Sequence, residues 1–242
     1  MIRFLPAVLL AARAFAQDDL ERVFHFDHIS AAQSMHEIGT LVKVMAGIED
    51  LLVDAEGRKI TFRGTAAQGK LADWLMIGID QRAADETSPR IFESQLDPRY
   101  GENVVKMFYL KNTNAGQELQ ELATLVRSLT GIRRLITYTF EPSITVRSTL
   151  GQTALAEWLV IQLDKPLKRE LEYRVSGGDD DVVRLFPVPG ETPQQLQRIA
   201  QQVRTETHIP RVLTYPAIRV LALRGTVEQL AQAKDLIYRN RL

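Results

Sequence analysis

Along this chain, short runs in which every second residue is apolar give way to longer runs with apolar residues at three-or-four spacing, and the succession occurs three times. Alternation predicts strands whose Phe24 and Phe26, Phe108 and Leu110, and Phe186 and Val188 face a core. The longer period predicts helices. Met35, Ile38, Leu41, Val42 and Met45 form one apolar stripe, and Leu119, Leu122, Leu125, Val126 and Leu129 form its counterpart. Gly47 and Gly131 directly follow these stripes, where glycine takes left-handed backbone at low cost and ends a helix; His208 holds the third such place. A strand pair comes next in each case: 50–53 with 59–63, 135–140 with 143–147, and 212–215 with 220–224. The first pair is joined by Ala55-Glu56-Gly57-Arg58, which has the chemistry of a hairpin turn. Thr65-x-x-Gln68, Thr149-x-x-Gln152 and Thr226-x-x-Gln229 then each announce a helix through a capping box, in which threonine and glutamine side chains satisfy each other's backbone donors.

The order β-α-β-β-α predicts an α+β fold: three tandem two-layer sandwiches, each with two helices on one face of a small sheet. Residues 22–80 overlay 106–164 without a gap after a shift of 84, with roughly 20 of about 59 positions identical. The predicted division is a signal at 1–16, units at 18–80, 104–166 and 182–242, and connecting segments at 81–103 and 167–181. Each connecting segment contains a candidate strand, at 90–96 and 170–175, and is read as a hairpin extension of the following unit. Units of about 60 residues bury only about 60% of their unfolded surface, so neighbours or self-association are expected to stabilise them.

Composition narrows the setting. Arg3, the apolar run 4–12 and Ala14-Phe15-Ala16 read as a cleavable export signal, too short to span a bilayer. The expected location is a periplasm-like space, with no membrane span once the signal is removed. The chain has no cysteine, which excludes disulfides, thiolate nucleophiles and cysteine-based zinc. Thirty basic residues balance thirty acidic ones, leaving no electrostatic footprint for nucleic acid.

The strand pattern F-x-[LFV], the I-x-[VF]-R-[GS]-T strand leading into a capped helix, and the closing run Trp158-Leu159-Val160-Ile161-Gln162-Leu163-Asp164 resemble the short N-terminal repeat domains of bacterial secretins. The resemblance covers nearly the whole mature chain. It implies domains that stack into periplasmic rings and contact secretion or pilus machinery. Leu242 falls directly after the third unit, before any long β-rich pore segment, so ring-building, scaffolding or partner binding is expected rather than channel formation.

The residues suggest no catalyst and no cofactor. His25, His28 and His36 lack an aligned acid to complete a metal shell, and Ser34, Ser128 and Thr130 lack histidine–acid companions. Gly47-Ile48-Glu49-Asp50 and Gly131-Ile132-Arg133-Arg134 do not form the GxxG loop of a nucleic-acid-binding KH unit. Asp179-Asp180-Asp181 lacks alternating calcium-ligand spacing and reads as a solvated turn. Trp74 and Trp158 sit at helical spacing with leucines and read as core. The candidate interface residues are Arg63, Arg147 and Arg224, on the outward side of the third strand of each unit, where arginine serves either subunit contacts or a solvated face with a salt bridge. The expected partners are the chain itself and secretion or pilus proteins. A ligand held between units is the alternative.

Overall fold

The computed structural model describes residues 20–81, 90–93, 101–175 and 181–239; the signal segment, Asp18-Asp19, Ser88-Pro89, Asp97-Pro98-Arg99-Tyr100 and Asp179-Asp180 lie outside them. The first unit comprises β1 (Leu20–His25), α1 (Ala32–Ala46), β2 (Asp50–Asp54), β3 (Lys59–Gly64) and α2 (Ala66–Asp80). The second comprises β4 (Arg90–Glu93), β5 (Val104–Tyr109), α3 (Gln117–Thr130), β6 (Arg134–Tyr138), β7 (Ser143–Ser148) and α4 (Leu150–Leu163). The third comprises β8 (Leu171–Arg174), β9 (Val182–Pro187), α5 (Pro193–Thr207), β10 (Arg211–Tyr215), β11 (Val220–Gly225) and α6 (Val227–Arg239). The fold is α+β. Its three antiparallel sheets run β1-β3-β2, β4-β5-β7-β6 and β8-β9-β11-β10. β4 and β8 pair with β5 and β9 and give the second and third sheets a fourth strand.

Local chemistry explains why the elements start and stop where they do. Gly47 and Gly131 adopt φ of 69° and 73° at the ends of α1 and α3, and His208 takes the same left-handed cap after α5 at 58°. The boxes at α2 and α4 form both reciprocal bonds, and at α6 the Gln229 amide donates to Thr226 Oγ1 at 3.1 Å while the Thr226 amide donates to Gln229 Oε1 at 3.1 Å. A fourth box, Thr192 with Gln195, opens α5 and carries the same T-x-x-Q signature. Each glutamine of the second helix also donates from Nε2 to the end of the first: Gln68 to Gly47 O at 2.8 Å, Gln152 to Thr130 O at 3.3 Å and Gln229 to Thr207 O at 3.2 Å. One side chain thus caps its own helix and ties it to its neighbour.

At the far end of each of the first two units a carboxylate closes the fold. Asp80 accepts the Asp27 and His28 amides, both at 3.0 Å. Its counterpart Asp164 accepts the amides of Lys111 at 2.8 Å, Asn112 at 3.1 Å and Thr113 at 2.9 Å, and the Thr113 hydroxyl at 2.8 Å. An inward cation on β1, β5 and β9 is paired in each unit: Arg22 with Asp73 of α2 at 2.7 Å, Lys106 with Glu157 of α4 at 2.6 Å, and Arg184 with Glu172 of the adjoining strand β8, its Nε donating at 3.1 Å.

The stripes of α1 and α3 are fully buried, as their spacing predicts. Burial of the sheets follows a different pattern from period-two alternation. Every residue of β7 is buried, and so are Val104 to Phe108 of β5, because these strands are covered on both faces. Their own helices cover one face, and the helices of the preceding unit cover the other.

Candidate functional site

The three units pack in series through one repeated joint. At the first joint the buried cluster built on α1 and α2 takes in Val105, Met107 and Tyr138 from the outer face of the second sheet. At the second joint the cluster of α3 and α4 takes in Val183, Leu185, Tyr215, Val220 and Ala222 from the third sheet. Polar contacts rim the first joint. The Tyr109 hydroxyl donates to Gly78 O at 2.7 Å, and the Thr139 amide and hydroxyl donate to the Glu37 carboxylate at 2.9 and 2.7 Å.

Two of the three sequence-predicted arginines sit at these joints. Arg147, 2% exposed, donates from Nη1 to Met45 O at 2.9 Å and from Nε to Glu102 O at 3.1 Å. Arg224 donates from Nη1 to Leu129 O, and its Nε and Nη2 grip the Asp181 carboxylate, the Nε bond being 2.8 Å. Met45 and Leu129 hold the same position in the last turns of α1 and α3. Carbonyls there lack intrahelical donors, and the helix end carries partial negative charge, so a guanidinium satisfies both needs. Both arginines thus join one unit's sheet to the last helical turn of the preceding unit.

Arg63 occupies the equivalent register, but among the described residues no unit covers it. It lies between Glu21 and Asp50 across the sheet and donates from Nε and Nη2 to Glu21 at 2.9 and 2.7 Å. The Glu21 carboxylate raises its pKa above the usual guanidinium value. The next row of this face is Val23, Thr61 and Leu52, with Val23 51% and Leu52 69% exposed. The corresponding rows Met107–Thr145–Ile136 and Leu185–Ala222–Leu213 are packed into the joints. His25 lies on the same uncovered face, opposite Lys59.

Tyr138 and Tyr215 are joint residues that the sequence reading did not single out. The available signal was an aromatic residue at an outward position of the second strand, where a solvated face carries a polar one such as Asp54. Burial pushes the Tyr138 phenol up to about 12 and raises Tyr215 in the same direction. A phenol whose folded pKa lies above its unfolded value near 10 stabilises the fold fully below pH ~10, and that contribution is lost as pH rises through the folded value. Urea midpoints measured from neutral to strongly alkaline pH are therefore expected to fall more steeply above pH ~10 for the native chain than for Tyr138→Phe. Parallel curves would exclude this role.

The remaining candidates stay apart. Trp74 and Trp158 pack at the edges of the first and second cores, with Trp158 tilted against Tyr173 at 5.3 Å. Among the described residues no three histidine or acidic side chains converge as a metal set, and no helix is long and apolar enough to cross a membrane. An open depression beside the second joint is lined by Asn114, Gln117, Glu118, Glu121, Pro216 and Ala217.

Fold and site together define an α+β repeat protein with serial sheet-on-helix joints and, among the described residues, one uncovered sheet face. No family model and no curated protein matches the chain. Among solved structures it is similar to Aeromonas hydrophila ExeD, at 13% identity over 93% of this chain and 41% of that one, with a TM-score of 0.22. It is similar to the ETEC pilotin–secretin AspS–GspD complex at 12% identity over 94% and 38%, with a TM-score of 0.23. It is also similar to XcpQN012 at 11% identity over 91% and 99%, with a TM-score of 0.27. The chain spans about two fifths of the length of the first two. At these scores the overlays assign no residue a role.

Proposed function

We propose that this is a non-enzymatic periplasmic protein of three secretin-N-terminal-like domains, at 18–80, 104–166 and 182–242, that acts by protein–protein association in assembling an envelope secretion or pilus complex. The observation that carries the reading is the uncovered face of the first sheet. Its Arg63, Thr61, Val23 and Leu52 repeat a surface that elsewhere in the same chain is an association surface. Arginine beside exposed apolar side chains is the composition of an interface, and sheet and helix faces of matched shape bury it without new backbone. The alternative, a ligand held between units, has as its places the acidic depression at the second joint and a second depression there between Gln120, Thr124 and Leu125 of α3 and Leu213 and Thr214 of β10.

The test is genetic. Deleting the gene in its own host is expected to reduce secreted cargo or surface pili, with recovery from the native chain and none from Leu52→Asp. Unchanged secretion and piliation in the deletion strain overturns the assignment.

A further inference from the structure

The two inner joints obey one rule on each side. The helix offers a stripe at i, i+4 and i+8: Glu37, Leu41 and Met45 on α1, and Glu121, Leu125 and Leu129 on α3. The sheet sets an aromatic at the glutamate end and an arginine at the carbonyl end. Tyr138 and Arg147 do this at the first joint, Tyr215 and Arg224 at the second. The third unit carries Arg198, Gln202 and Glu206 on α5 at the stripe positions, all exposed, with Gln202 donating to Glu206 at 2.7 Å. The first sheet carries Asp54 at the tyrosine's place and Arg63 at the arginine's, both exposed.

These two substitutions complement each other at both ends of the stripe. Seated as in the inner joints, α5 would set Arg198 against Asp54. At the other end Arg63 would meet both the Glu206 carboxylate and the main-chain carbonyl at that position. Neither α1 nor α3 matches the face in this way, since each offers a glutamate where Asp54 would lie. We infer that the first sheet of one copy of this chain receives α5 of a second copy, head to tail, in the geometry of the inner joints. The inference rests on the reading of sheet faces as association surfaces and adds the identity of the partner. The contact joins unlike surfaces, so each added copy presents both faces again, and growth proceeds to a closed ring or an open stack. Gln202 and Glu206 replace two apolar stripe residues, so attraction is mainly electrostatic and falls with salt.

Sedimentation velocity on the exported chain, across a wide concentration range at low and high salt, tests this. Species larger than a monomer are expected to grow with concentration at low salt. Arg63→Glu and Glu206→Arg alone should each weaken association on the order of tenfold, and the double variant should restore it. A monomer at every concentration, or association indifferent to both single reversals, overturns the inference. The broader reading fails separately. A monomeric chain whose Leu52→Asp variant still abolishes secretion or piliation leaves assembly with another partner standing. Charge-dependent self-association with secretion and piliation intact after deletion does the reverse.

Discussion

Replacing Arg147 with alanine is expected to lower the unfolding free energy by about 2–4 kcal/mol, whereas Arg63→Ala leaves the urea midpoint unchanged. The two arginines sit in the same local motif, but Arg147 is buried and bonded to Met45 O and Glu102 O while Arg63 is exposed and pairs with Glu21 beside Asp50 at the surface. Truncating Arg147 strands the Met45 carbonyl in a buried contact and leaves a void between the sheet and α1. An orphaned buried acceptor costs about 1–3 kcal/mol, and unfilled volume adds to it. Loss of the joint is expected to precede loss of the units. Hydrogen exchange in the last turn of α1 and along β7 should therefore rise before exchange in the core of α2. Equal effects of the two alanines on the urea midpoint would show that burial at the joint contributes nothing.

Asp164→Ala is expected to cost about 2 kcal/mol and to exceed the effect of Asp80→Ala measured in the same chain. Charge-assisted bonds to backbone amides are stronger than neutral ones, and Asp164 accepts four donors where Asp80 accepts two main-chain amides. The loop these bonds hold leads from β5 into α3, the helix on which the third sheet sits. Faster exchange at the Lys111, Asn112 and Thr113 amides, spreading into the start of α3, is the expected signature. A stability loss confined to Asp80→Ala would remove the clamp as an explanation.

Much of the fold was legible because local rules decided it. The T-x-x-Q boxes, the glycines after α1 and α3, and the three-or-four spacing of Met35 through Met45 each rest on contacts within a few residues. Their physics is local, so the same letters give the same structure wherever they occur. The closing acids Asp80 and Asp164 were visible as matching positions, but their role as acceptors for loop amides some fifty residues away was not. The candidate site was legible in position and not in state. Arg63, Arg147 and Arg224 could be placed on outward sheet faces by alternation alone, yet alternation says nothing of what lies beyond the face.

The sequence by itself determined the order of elements, their caps, the α+β class and the equivalence of the three arginines. Only the tertiary structure decided that Arg147 is buried, Arg224 half-buried and Arg63 exposed. The partner of Arg147 is a carbonyl 102 residues away, and that of Arg224 is 95 residues away, both brought within reach when one unit's sheet closes over the preceding unit's helices. Main-chain carbonyls have no residue identity, so no pairing of letters along the chain announces such a bond. What selects it is the fit of a whole sheet face onto a whole helix stripe, and the first sheet is the one face for which this chain supplies no such stripe among the described residues.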